Sequence, residues 1–334
     1  MSFSDVIWHA LYNDDAASVN LWVVASPEWQ LVKELSVTRP HYRRGLSFSL
    51  AQLLWKFRHS VCIDPRDAFY ALLALVQDQL PTAILLGYHL HPSDLKTGVS
   101  EFIISNYQSL DIFAVCSGFD REDHPGLETP SWVPNFSSPS SSHPISLGIF
   151  DSQGGPDDVL PFAAGGSETL YRCSPARQPG QLFLLGIIYD AVTNTVVTDI
   201  LADIGSSLDC IAVAQEGKCI PIGSQSVVEV RWRTLLAGQS QPGRILKNNE
   251  TFNGHKIPPT TLSEEKAFLS ILEKKLKFGL LEGRNILLTD RGHLALGPAS
   301  AREGDVVALL AGGAVPYVLR KTTTEKEFEL VGDW

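Results

Sequence analysis

Read from its C-terminal end, the chain breaks into short apolar runs separated by Gly and Asp. Residues 286–289 are followed by the turn Asp290-Arg291-Gly292, and residues 293–296 return. Residues 306–310 follow Gly304-Asp305, Gly312-Gly313 reverses the chain into residues 315–319, and residues 327–331 complete the series. Runs this short do not sustain a helix but are ordinary strand lengths, and Gly and Asp accept the backbone angles that tight turns need. The pattern predicts a small antiparallel barrel or curled meander.

The first part of the chain carries a different period. Leu46, Leu50, Leu53, Leu54 and Phe57 recur at helical spacing. Asp64 suits an N-cap, Pro65 the first helical position and Asp67 the first turn, with Phe69, Leu72, Leu73 and Val76 as the apolar face of a second helix paired with the first. A third helix is expected after Pro92 on Leu95, Val99, Phe102 and Ile103, leading into a short apolar stretch over residues 109–115. Residues 136–160 are rich in Ser, Pro and Gly and read as a linker. Beyond them, residues 182–189 are apolar enough for a buried strand, residues 190–197 continue it in Val and Thr, and a helix capped by Ser263 ends near Gly279. The fold class is therefore α+β: a helical portion over 1–135, the linker, and a β-rich domain over 161–334.

Composition excludes several function classes. Hydrophobic residues make up 44% and charged residues 19% of the 334, which suits a packed globular chain rather than a disordered one. A formal net charge of −10 argues against a nucleic-acid partner, since backbone binding needs clustered cations. The one dense basic stretch, residues 39–44, reads as a solvated helix approach, with a phosphate-binding patch as the alternative. The five cysteines (62, 116, 173, 210 and 219) show neither disulfide nor zinc spacing. The N-terminus lacks the basic and apolar regions of a secretory signal, and no run approaches the roughly 18–20 apolar residues that span a bilayer. A cytoplasmic chain with no membrane association and no cofactor is expected.

Four stretches carry a family resemblance. Residues 58–75 read RHSVCIDPRDAFYALLAL, residues 129–135 TPSWVPN and residues 231–237 RWRTLLA. Between residues 285 and 320 stand LLTDRGHLALGP, AREGDVVALLAGG and VPYVLR. In this order they resemble the back portion of fungal heterokaryon-incompatibility (HET) domain proteins. The family's front motifs, which belong to its TIR-like part, have no match here. The resemblance implies a truncated relative acting in fungal non-self recognition.

The densest charged motif is Asp64-Pro65-Arg66-Asp67. Arg66 is suited to grip a carboxylate or phosphate with Asp67 orienting it, or else to join two segments as an ion pair while the acids serve the helix start. His89 and His91 have the spacing of two ligands on one strand face, without a completing carboxylate or thiolate. Trp132 between two prolines is either a stacking platform or a plug. Arg231 and Arg233 would share one face if extended. Standard nucleophile-elbow, P-loop, zincin and dinucleotide motifs are absent from the sequence. The ligand-binding candidates are Arg66, Asp67, Tyr70, Trp132 and Arg233, with no catalytic residue assigned and no metal. A regulatory protein with a protein partner is the first expectation. A small-molecule cyclase or isomerase of secondary metabolism, its pocket lined by Trp132, Tyr70 and Arg66, is the alternative. A gene fragment without activity of its own is the third.

Overall fold

The structure is a computed structural model. It describes residues 27–58, 60–85, 87–116, 129–135, 144–146, 163–166, 180–196, 226–241, 244–245, 250–252, 255–257, 259, 264, 283–324 and 326–334. The chain divides into two units: residues 1–95 with 135–139, and residues 96–134 with 140–334. Helices lead and an antiparallel, curled six-stranded sheet follows, so the class is α+β.

In the first unit, α1 (Pro27–Arg43) precedes α2 (Leu50–Lys56). A capping box starts α2: the Gln52 amide donates to Ser49 Oγ at 3.2 Å, and the Ser49 amide donates to Gln52 Oε1 at 3.0 Å. Leu50, Leu53 and Leu54 are buried at i, i+3 and i+4, as their spacing predicts, whereas Leu46 is exposed. The partner expected for this helix is a single turn, α3 (Asp67–Tyr70), followed by a 3₁₀ turn at Leu73–Leu75. Its N-cap is Arg66 and no side chain caps it. Asp64 instead accepts the Arg66 amide at 2.9 Å and holds the Arg66 guanidinium, which closes a local loop ahead of the helix. A second short helix, α4, spans Thr82–Leu85. Helix α5 (Pro92–Tyr107), of which residues 96–107 belong to the second unit, buries Leu95, Val99 and Ile103.

The second unit is organised by strands. The long strand β1 (Gly186–Val196) precedes α6 (Val227–Leu235) and two small hairpins, β2 (Gln239–Gln241) with β3 (Arg244–Ile245), and β4 (Glu250–Phe252) with β5 (His255–Ile257). The meander then runs through β6 (Arg284–Thr289), β7 (Leu294–Pro298), β8 (Val306–Leu310), β9 (Tyr317–Lys321) and β10 (Phe328–Asp333). The sheet order is β10-β9-β8-β1-β6-β7, and every pairing is antiparallel. Strand β1 belongs to two ladders in turn. Its first half pairs with β8 from Gly186↔Leu310 to Ala191↔Val306, and its second half pairs with β6 from Val192↔Thr289 to Val196↔Ile286.

The sheet curls far enough that the edge strands β7 and β10 approach each other. Val192, Leu287, Ala301, Val307, Val318 and Val331 fill its interior, with Trp334 packed against them. A fully buried ion pair joins β6 to β10, Arg284 Nη2 to Asp333 Oδ1 at 2.6 Å. The turn between β7 and β8 is held by Asp305, which accepts Arg320 Nε and Nη2 at 3.0 Å each and the Arg302 amide at 2.8 Å. Gly304 sits there at φ +89°, where an L side chain is strained. Residues 111–116 form a 3₁₀ segment packed beside β10. There the Tyr317 hydroxyl donates to the Leu110 carbonyl at 3.1 Å, and the Phe113 ring meets the Tyr317 ring edge-on.

The sequence misleads at one strand. Residues 182–189 read as a buried strand, yet β1 starts only at Gly186, and Phe183 (53%), Leu185 (57%), Ile187 (61%) and Ile188 (55%) are more than half exposed. Strand β6 ends at Thr289 opposite Val192, so β1 runs on past it. The helix expected around residues 263–279 lies almost wholly outside the described residues.

Candidate functional site

The first unit gathers Arg66, Asp67 and Tyr70 with a fourth residue, Tyr88. Arg66 lies at the start of α3, and each of its guanidinium nitrogens has an acceptor. Nε and Nη2 grip Asp64 at 2.9 and 2.7 Å, while Nη1 donates to the carbonyls of Tyr88 at 2.7 Å and Leu90 at 3.2 Å. The guanidinium also lies 5.0 Å from the centre of the Tyr88 ring. The Tyr88 hydroxyl donates to Asp67, and the Tyr70 hydroxyl donates to the Gly87 carbonyl at 2.7 Å. The Tyr70 and Tyr88 rings are 5.0 Å apart.

Electrostatics follows this geometry. Hydrogen bonds from the Arg66 side chain and amide hold the Asp64 carboxyl down at about 2. The same side-chain bond raises Arg66. Tyr88 is raised chiefly by its hydrogen bond to Asp67, and Tyr70 chiefly by burial. The arrangement fixes the segment around residues 87–90 against α3, as a bidentate Arg–carboxylate pair backed by carbonyl acceptors does.

Trp132 and Arg233 belong to the second unit. Trp132 is buried in a turn closed by the Val133 amide on the Pro130 carbonyl, and its indole N–H donates to the Gly180 carbonyl at 3.0 Å. The neighbouring Ser131 Oγ accepts the Leu330 amide of β10. Arg233 lies in α6, not in an extended segment, and bonds Glu229 at 3.0 Å one turn earlier. Helical geometry turns Arg231 and Arg233 to different sides, because residues two apart do not share a helix face. Arg231 is buried, and Thr234 donates to the Leu294 carbonyl, docking α6 on β7. His91 Nδ1 contacts Ser93 Oγ at 2.7 Å, and among the described residues no three His, Cys, Asp or Glu side chains form a metal-binding group. Cys116 is buried, its thiol donating to the Ile112 carbonyl at 3.5 Å, and Cys62 is half-buried.

Two features lie outside the sequence-derived set. Tyr88 is more than twenty positions from the motif it completes, and no local pattern marks it. The second feature is the open portion of β1. There Phe183, Leu185, Ile187, Ile188 and Tyr189 form an apolar strip bordered by the β6–β7 turn. Tyr189 stacks on His293 at 5.5 Å, its hydroxyl lies 3.1 Å from His293 Nε2, and the Arg291 guanidinium sits 5.0 Å from its ring centre. Beneath them Asp190 Oδ1 accepts the amides of Ala191 and Arg291. In sequence this feature shows only as an apolar run over residues 182–189, the same pattern a buried strand has.

Among the described residues, no helix is long and apolar enough to cross a membrane. No curated protein and no solved structure matches the chain significantly. Residues 265–334 match the family model of the Het-6 beta-barrel domain, consistent with the back portion of a heterokaryon-incompatibility protein.

Proposed function

We propose that this chain is a regulatory interaction protein of the HET type, acting in the fungal cytoplasm in non-self recognition, and that it works by binding protein. The observation that carries the reading is the exposed strip on β1. Phe183 and Leu185, just ahead of β1, and Ile187 and Ile188, on it, stand more than half in water. Apolar patches of this kind on soluble domains mark binding faces. The Het-6 barrel match supports the biological setting. The alternative of a small-molecule enzyme would draw on Arg66, but that guanidinium engages Asp64 and two backbone carbonyls.

The test is genetic. The chain, or its Ile187→Lys variant, is expressed in one of two compatible fungal strains, and the viability of their fused cells is scored. The reading expects the unsubstituted chain to reduce viability and the variant to restore it. Fused cells that grow equally well in every case would refute it.

A further inference from the structure

Among the described residues, the first half of β1 is also an open strand edge. Strand β6 pairs with β1 only from Val192 onward, and the Asp290 amide closes that ladder on the Ala191 carbonyl. Before this point, β1 has a strand partner on the β8 side alone among the described residues. The Leu185 carbonyl faces β8, where it accepts the Ala311 amide. Antiparallel alternation therefore turns the N–H and C=O of Gly186 and Ile188 to the open side. Gly186 has no room for a side chain, since a Cβ there would lie 2.7 Å from the Leu309 carbonyl oxygen, so the backbone is held close against β8. An exposed edge with apolar side chains is a template for another strand.

We propose that the open edge of β1 pairs antiparallel with the same edge of a second copy of this chain. The proposal rests on the reading of the chain as an interaction protein and names its partner. Charge is the first argument. Each copy carries −10 overall, yet residues 183–189 hold no acidic or basic side chain, so this is a place where two copies meet without apposed like charges. Register is the second. Centred on Ile187, a two-fold pairing sets Ile187 opposite Ile187, Gly186 opposite Ile188 and Leu185 opposite Tyr189, so the surface is complementary to itself. Area is the third. The five side chains leave on the order of 500 Å² of surface exposed per copy, so two copies bury at most about 1,000 Å², the size of a weak interface. The result is a reversible dimer rather than an obligate one.

The test uses the full chain in sedimentation equilibrium over about a hundredfold concentration range, reaching roughly 100 μM. The unsubstituted chain should pass from monomer to dimer. Ile187→Lys should weaken association by at least about tenfold, with its thermal midpoint and circular dichroism unchanged. Val61→Lys, at an exposed site in the other unit, should associate normally. Leu185→Lys serves if Ile187→Lys does not fold. A chain that stays monomeric throughout overturns the proposal and leaves the strip to a different protein. A folded Ile187→Lys that dimerises like the parent, or a Val61→Lys that is weakened equally, also overturns it. The fused-cell assay reads the function separately. A monomeric chain that still lowers viability sinks only the self-pairing, whereas a dimer that leaves fused cells growing sinks only the functional reading.

Discussion

Replacing Asp333 with Asn removes one charge from the ion pair that joins β6 to β10 and leaves its shape almost unchanged. Asp333 accepts Arg284 Nη2 at 2.6 Å and the Ile145 amide at 2.8 Å, and its carbonyl accepts Arg284 Nη1 at 3.3 Å. Both side chains are fully buried, so solvent cannot make up for the lost carboxylate charge. Breaking such a pair from one side costs about 3–5 kcal/mol. Asn keeps an acceptor oxygen near Arg284, so the lower value of about 3 kcal/mol is expected. Against a typical total of about 5–15 kcal/mol this is a large fraction, worth roughly 10 °C in the midpoint. The assay is urea unfolding of the full chain, followed by tryptophan fluorescence, with buried Trp232 and Trp132 as reporters. The double variant Arg284→Met/Asp333→Leu removes both charges and should return to within about 1 kcal/mol of the parent. A loss under about 1 kcal/mol in Asp333→Asn would refute the claim that this pair closes the curled sheet.

Three further outcomes follow from the same reasoning. Tyr317→Phe should cost about 0.5–1.5 kcal/mol in urea unfolding, because the buried Leu110 carbonyl loses one of its two donors and keeps the Phe113 amide. Burial raises Tyr317 well above its usual value, so its contribution is fully present below about pH 10 and is lost as pH climbs toward the folded value. The gap between parent and variant should therefore narrow above about pH 10. Arg66→Lys should release Asp64 from about 2 toward the usual carboxylate value, read by carboxyl NMR. In the parent, the stabilisation from that depressed carboxyl is present above about pH 4 and lost as pH falls to about 2. Ser49→Ala should destabilise the first unit by about 1 kcal/mol through loss of the capping box, read by thermal unfolding.

The barrel was legible because its information is local. Gly and Asp punctuation fixed the turns, and β8 spans the residues its apolar run marked. The other meander strands shift by a residue or two, as ends do when pairing rather than periodicity sets them. Helices α2 and α5 were legible by their apolar stripes, and α5 also by Pro92 at its start. The single turn of α3 was not, because Asp64 is drawn into a side-chain pair with Arg66 that competes with capping. The exposure of β1 was invisible because an apolar strand reads identically whether its neighbours cover it or end short of it. That β6 ends at Thr289 is a property of two chain segments nearly a hundred residues apart. The surroundings of Arg66 were half legible: Asp64 is adjacent in sequence, while Tyr88 and Leu90 are brought in by the fold.

The central claim, that the open edge of β1 is where this chain meets another, is tested most directly by amide hydrogen exchange at Gly186 and Ile188 in dilute and concentrated protein. The account predicts that both amides slow as concentration rises, while Leu185 and Ile187, which face β8, do not change. Exchange at Gly186 and Ile188 that is equally fast at every concentration would contradict it.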